Sequence, residues 1–228
     1  MKNLFYILIF YGSAIFLPVK AENLLEERCR QVAGTPQVSI YTSYGKLKYD
    51  HTKVNRTLTR LHKKQYGGEV LNGYEVHGLA TYDLATELNF KMYKNVFEDG
   101  SVCFYPDEIE LTIGIQNPVI YISKSLKEKT CAYNVALRHE QTHQQINVEV
   151  LEQYLPRIQQ VFSDVVKAHP VAVRPKDDVL IETAQESLKQ RYLKALAPVL
   201  QQMQETASAE QKKLDRKEHY DYEQTLCP

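Results

Sequence analysis

The chain has 228 residues, of which 43% are hydrophobic and 25% are charged, so it contains enough apolar material for the core of one globular domain. This composition excludes collagen, coiled-coil rods and intrinsic disorder. Lysine plus arginine and aspartate plus glutamate both total 28, which leaves no basic excess for the phosphates of a nucleic acid. We therefore expect no nucleic-acid partner.

Residues 1–21 have the pattern of a secretory signal peptide. Lys2 supplies a positive start, Leu4–Leu17 is nearly all apolar, and Val19–Ala21 offers the small residues that a signal peptidase recognises. The apolar run is shorter than the ~20 residues of a membrane-spanning helix. We expect its removal to leave a single domain, residues 22–228, that is secreted or periplasmic and has no stable membrane span.

An oxidising compartment predicts that the four cysteines form two disulfide bonds, because none lies in a C-x-x-C pair that could bind zinc. Three pairings are possible. We favour Cys29 with Cys227, which would join the two ends of the mature chain, and Cys103 with Cys131, which would fasten a strand to the following helix.

The amino-terminal half, from about Gln37 to Ser123, carries β-branched and aromatic runs that predict strands. The clearest is Glu108–Ile115, in which polar and apolar residues alternate with the period of two of a half-buried strand. One helix interrupts this half, from about Val54 to Gln65, before Gly67–Gly68 ends it. The other predicted strands are Val38–Tyr41, Tyr74–His77, Asn89–Tyr93 and Val119–Ile122.

The carboxyl-terminal half shifts to Ala, Leu, Gln, Glu and Lys with helical periodicity. A first helix begins near Thr130, is broken or kinked at Pro156, and ends before His169–Pro170. A second helix begins near Asp177–Asp178, which are suitable N-cap residues. The predicted fold is α+β, with a β-rich amino-terminal half packed on a helical carboxyl-terminal half.

The most informative stretch is His139-Glu140-x-x-His143, inside the first long helix. Two histidines four residues apart lie about 40° from each other around a helix, so both imidazoles can bind one metal ion with the carboxylate beside it. Both histidines fall on the apolar stripe that contains Ala136 and Ile146, and therefore face the protein body. Zinc is the metal we expect, because neutral imidazoles suit it.

The motif is the signature of the zincin superfamily of metallopeptidases, and the layout of the chain resembles a bacterial group of predicted secreted zinc-dependent proteases. The likeness includes an export signal, Cys103 at the start of a strand, the motif helix, a long second helix and a terminal element at Asp215–His219. In that group the terminal segment resembles Asp-x-x-Thr-x-His. Here the histidine lies one position nearer the aspartate, and Glu218 replaces the threonine.

The resemblance implies a zinc-dependent metallopeptidase that hydrolyses peptide bonds of a peptide or protein substrate. His139 and His143 would hold the zinc, and Glu140 would act as general base towards the attacking water before passing the proton to the leaving amine. One neutral donor would help to stabilise the oxyanion. Tyr220 and Tyr222 are candidates for it.

The third ligand is open between several residues. His219 is preferred, because a disulfide would bring the terminal segment back to the body and imidazole is a common zinc ligand. Asp215 is a candidate ligand or the acceptor that orients an imidazole. Glu182 and Glu186, near the start of the second helix, are further candidates. Glu149 is discounted because it would point about 80° away from the first motif histidine.

Two functions of other classes stay open. The first is a catalytically silent zinc-binding envelope protein with a binding or structural role. The second is an envelope binding protein without a metal, in which His139 and His143 are core histidines hydrogen-bonded to carboxylates. Metal content distinguishes the second function from the others.

Overall fold

A computed structural model describes residues 19–66 and 75–227 of the chain. Helices make up 53% and strands 27%. A five-stranded sheet takes four of its strands from the amino-terminal half, and the long helices lie in the carboxyl-terminal half, which confirms the α+β class. Most of the predicted signal peptide, Gly67–Gly68 and Tyr74 lie outside the described residues. In chain order the elements are α1 (Val19–Ala33), β1 (Gln37–Ser43), β2 (Lys48–Asp50), α2 (Asn55–Tyr66), β3 (Gly78–Val96), β4 (Val102–Ile122), α3 (Cys131–Ala168), β5 (Ala172–Arg174), α4 (Ile181–Leu214) and α5 (Lys217–Thr225).

Strand β4 is the centre of the sheet. Strand β3 runs antiparallel along one side of it, while β1 and β2 pair in parallel and β5 antiparallel along the other side. The two predicted strands Glu108–Ile115 and Val119–Ile122 are one continuous strand. Asn117 adopts a left-handed φ of 48° and the register with β3 shifts there, so the sheet accommodates Pro118 without ending the strand.

The core lies between one face of this sheet and the two long helices. Ile109, Leu111 and Ile113 of β4 are fully buried, and they pack in one cluster with Leu151 of α3 and Leu188 of α4. This confirms the alternation predicted for Glu108–Ile115. In the part of the chain that the structure describes, no helix combines the length and apolar character that crossing a membrane requires.

Helix α3 begins at the predicted position, because the Thr130 side chain accepts a hydrogen bond from the Tyr133 backbone N–H. It is not broken at Pro156 but continues to Ala168. The proline removes one intrahelical hydrogen bond, while the buried residues Leu151 and Ile158 on either side of it keep the helix packed on the core. Helix α4 begins at Ile181 rather than near Asp177–Asp178, with Leu180 as its N-cap residue.

Helix α4 returns antiparallel to α3. The hydroxyl of Tyr192, in the first half of α4, donates to the carbonyl of His169, just after the end of α3. Gln211, in the last turn of α4, donates to the carbonyl of His143 in the first half of α3. The carboxyl-terminal end of α4 therefore lies on the motif histidines, and its amino-terminal end lies far from them.

The favoured disulfide pairing is wrong: the bonds join Cys29 to Cys103 and Cys131 to Cys227, with Cα–Cα distances of 5.4 and 5.6 Å. Cys103 lies at the start of β4 and Cys131 beyond its end, so the two are separated by a strand roughly 60 Å long at about 3.3 Å per residue. Each end of the described chain is thus bound to the domain separately, the amino-terminal end to β4 and the carboxyl-terminal end to α3.

Candidate metal centre

The motif residues lie on the buried face of α3. His139, Glu140 and His143 have exposed fractions of only 5%, 6% and 8%. The helical stripe predicted from the sequence therefore faces the protein body. Buried imidazoles and carboxylates need partners, because burial without a hydrogen bond or a counter-charge is unfavourable.

Three electron-pair donors converge at this face. The Nε2 atoms of His139 and His143 are 3.0 Å apart, and Asp215 Oδ1 lies 3.2 Å from the first and 3.0 Å from the second. Ligands about 2.0–2.1 Å from a tetrahedral zinc ion lie roughly 3.3 Å from one another. The separations of the three atoms therefore fit a common metal ion, and these residues could hold one.

The opposite nitrogen of each imidazole already has an acceptor. His143 Nδ1 faces Gln211 Oε1, while the Gln211 amide donates to the His143 carbonyl at 3.1 Å and to Asn147 Oδ1 at 2.8 Å. His139 Nδ1 lies 3.1 Å from the carboxylate of Glu223. A proton on each Nδ1 leaves two Nε2 lone pairs and one carboxylate oxygen facing one another, an arrangement that a cation stabilises.

Asp215, rather than the preferred candidate His219, is the residue whose carboxylate lies at both Nε2 atoms. It is the C-cap residue of α4, so the docking of that helix on α3 brings its carboxylate to both histidines. His219 belongs to a different group of donors, with His139 and Glu223, and its ring centroid is 5.8 Å from that of His139. Asp215, which the sequence offered as a ligand or as an acceptor for an imidazole, could therefore hold a metal ion together with His139 and His143.

The glutamates considered as third ligands lie elsewhere. Glu149 is exposed and accepts a hydrogen bond from Gln145. Glu182 and Glu186 are exposed in the first two turns of α4. The metal centre lies at the other end of that 34-residue helix, roughly 45–50 Å away at about 1.5 Å per residue. The antiparallel return of α4 therefore keeps Glu182 and Glu186 away from the centre, and Glu149 lies off the buried face of α3.

Helix α5 adds two side chains to the centre. The Tyr220 hydroxyl donates to Asp215 Oδ1 at 2.7 Å, and the Tyr220 ring stacks on His139 with a centroid distance of 5.1 Å. Glu223 accepts from His139, and the sequence reasoning missed it. Glu223 follows His219 by four residues, and this spacing places both side chains on one side of a helix. The spacing could have identified Glu223 from the sequence. Tyr222 is 59% exposed, beside His219 rather than at the converging donors.

Glu140 lies against the amino-terminal end of β3. Its carboxylate accepts a hydrogen bond from the Ala80 backbone, and it fits only because Gly78 has no Cβ, which would overlap its side chain. Burial raises the pKa of Glu140, although the neighbouring histidines oppose the shift. The residue lines a cavity of about 790 Å³ that also reaches His62, Val135 and the three converging donors.

In the metal-free protein, the carboxylates beside the two histidines determine whether the imidazoles are protonated. Burial lowers the pKa of His139, but hydrogen bonds with Asp215 and Glu223 outweigh it and raise that pKa to about 10. The pKa of His143 is raised in the same way, mainly by Asp215. The histidines in turn hold the pKa values of Asp215 and Glu223 below their usual range against the effect of burial. A metal ion therefore competes with protons here.

The chain matches no protein-family model, and neither a curated protein nor a solved structure matches it. The resemblance to zincins therefore stands on the motif and on the layout of the chain alone.

Proposed function

We propose that this protein is an extracytoplasmic zinc-dependent metallopeptidase, a hydrolase acting on peptides or proteins. The observation that carries the proposal is the convergence of His139, His143 and Asp215 beside the buried carboxylate of Glu140, at the wall of a cavity of about 790 Å³. A cavity of this size is typical of sites that bind small molecules or cofactors. The two disulfides agree with an oxidising compartment.

Zinc is the metal that this donor set suits best. Two imidazole nitrogens and one carboxylate oxygen satisfy three of the four positions that zinc prefers, and the remaining position is what a catalytic site keeps open. When bound, zinc supplies Lewis acidity that polarises a substrate carbonyl and lowers the pKa of water towards neutrality. His139, His143 and Asp215 would hold it.

Glu140 would carry the proton transfer. Because burial raises its pKa, its carboxyl group holds a proton more readily than an exposed glutamate and is better matched to a base that works near neutral pH. It would take a proton from the attacking water and deliver it to the leaving amine nitrogen. The Ala80 backbone hydrogen bond keeps the carboxylate at the cavity wall throughout.

The proposal is tested by zinc content and peptide hydrolysis of the purified protein. We expect about one zinc per chain in the wild type, none in His143→Ala, and unchanged zinc in Glu140→Gln. A peptide library should be cleaved by the wild type, and Glu140→Gln should lose hydrolysis by about 10²–10⁴-fold. Zinc-free wild-type protein after reconstitution, or full activity in Glu140→Gln, would refute it.

A catalytically silent zinc-binding protein is the second candidate. One observation favours it: Glu140 also joins α3 to β3 through Ala80 and Gly78, so the residue has a structural role without any catalysis. In that case the wild type would bind zinc but leave every peptide in the library intact. Glu140→Gln would then show a lower melting temperature as its only effect.

A further inference from the structure

The carboxyl-terminal helix has almost nothing apolar to hold it in place. None of the nine side chains of α5, all of which the structure describes, is buried. A helix of this length is marginal by itself in water. The bond between Cys131 and Cys227 fixes its carboxyl-terminal end to the first residue of α3, the helix that carries both histidines.

Glu223 of α5 contacts His139 at Nδ1, the ring nitrogen that does not face the other metal-binding donors. Both of its carboxylate oxygens lie within hydrogen-bond distance of His139 Nδ1, at 3.1 and 3.2 Å, and its side chain is only 16% exposed. A carboxylate in this position keeps the proton on Nδ1 and the lone pair on Nε2, the atom that faces His143 and Asp215. It also fixes the rotation of the ring.

We infer that Glu223 is a positioning residue for His139 and that the Cys131–Cys227 disulfide holds it there. The disulfide therefore supports the metal centre indirectly, by holding α5 and its Glu223 side chain against α3. This inference rests on the metal site of the proposed function. It assigns a role in metal binding to the disulfide that joins Cys227 to α3. Loss of an outer carboxylate of this kind typically weakens metal binding by 10–100-fold.

The test is a set of zinc affinities measured by competition with a chromophoric chelator. Glu223→Ala and the double variant Cys131→Ala/Cys227→Ala should each bind zinc about 10–100-fold more weakly than the wild type. Glu223→Gln, whose amide oxygen can still accept from Nδ1–H, should recover most of the loss. Glu218→Ala, exposed on the same helix, and Cys29→Ala/Cys103→Ala, at the other disulfide, are the matched controls and should keep wild-type affinity.

Combining the changes tests whether the disulfide acts through Glu223. In a double-mutant cycle, Glu223→Ala should weaken zinc binding little further once Cys131 and Cys227 are alanine. NMR of histidine-labelled, zinc-loaded protein gives a second readout. The Nδ1–H proton of His139 should exchange slowly with water in the wild type, where Glu223 accepts it, and fast in Glu223→Ala.

Unchanged zinc affinity in Glu223→Ala would overturn the inference while leaving the metal site intact. Two zinc ions per wild-type chain, one of them lost in Glu223→Ala, would also overturn it, because Glu223 would then be a ligand in the group it forms with His139 and His219. A wild-type protein without zinc would instead refute the proposed function. Far-UV circular dichroism on every variant excludes unfolding as the cause of a lower affinity.

Discussion

The two ends of the described chain are attached to the domain in different ways. At the amino-terminal end, Cys29 and Cys103 are fully buried with Val171 in an apolar cluster, and the Arg28 guanidinium lies 3.7 Å from the centre of the Phe97 ring. At the carboxyl-terminal end, α5 has no buried side chain and contacts the domain through polar groups of the metal centre. One disulfide therefore reinforces packing, whereas the other fastens a helix that packing does not hold.

The comparison separates stability from function. The Cys29–Cys103 disulfide lies in an apolar cluster that contains no residue of the metal centre. Removing this disulfide should therefore lower the free energy of unfolding. The segment ending at Cys227 carries Asp215, Tyr220 and Glu223, so disturbing it should affect metal binding first.

The largest effect should come from Asp215, at the start of the carboxyl-terminal segment. Asp215→Ala removes one of three donors, and we expect zinc affinity to fall by more than the 10–100-fold typical of an outer partner. Asp221→Ala, which removes an ion pair with Lys217 on α5, is the control and should retain zinc. Isothermal titration calorimetry measures both. Tight zinc binding by Asp215→Ala would return the third-ligand role to His219.

The next effect concerns stability. Cys29→Ala/Cys103→Ala should lower the free energy of unfolding by about 2–5 kcal/mol, and by more than Cys131→Ala/Cys227→Ala in the metal-free protein. Loop lengths of 74 and 96 residues predict nearly equal entropic effects, so the difference should come from the cavity left in the buried cluster. Urea denaturation checks it, and equal losses would contradict the contrast between the two regions.

The pH dependence of stability between about pH 6.5 and pH 10 should come from the metal centre. Because the pKa of His139 is raised from 6.5 to about 10, protonated His139 stabilises the metal-free fold fully below about pH 6.5, and this stabilisation is lost as the pH rises to about 10. The melting temperature should fall over that window, while zinc affinity rises because binding needs neutral imidazoles. The decrease of the melting temperature with pH should persist in Cys29→Ala/Cys103→Ala and become smaller in Glu223→Ala. An unchanged decrease in Glu223→Ala would contradict the assignment of this pH dependence to His139.

The smallest effect should come from His219. It lies 3.2 Å from Glu223, so under the proposed arrangement His219→Ala should change zinc affinity by no more than a few-fold. The same chelator competition measures it. Complete loss of zinc in this variant would mean that His219, and not Asp215, is the third ligand.

Patterns local in the sequence predicted much of this protein correctly. Alternation in Glu108–Ile115 and the helical stripe around His139 and His143 depend on neighbours a few residues away, so strand, helix and inward-facing histidines follow from the chain itself. The merging of two strands around Pro118 was missed, and of the break or kink predicted at Pro156 the break does not occur, because the pairing and packing of flanking residues outweighed a local breaker.

The remaining features depend on how distant segments meet. His139, Glu140 and His143 were readable because one helix fixes their spacing. Asp215, Gln211 and Glu223 join them only because α4 returns antiparallel to α3, which no spacing in the sequence encodes. The disulfide pairing was misjudged for the same reason, since the length of β4 separates Cys103 from Cys131. The sequence by itself determined the motif and the elements that carry it, while the packing of those elements decided which carboxylates complete the centre.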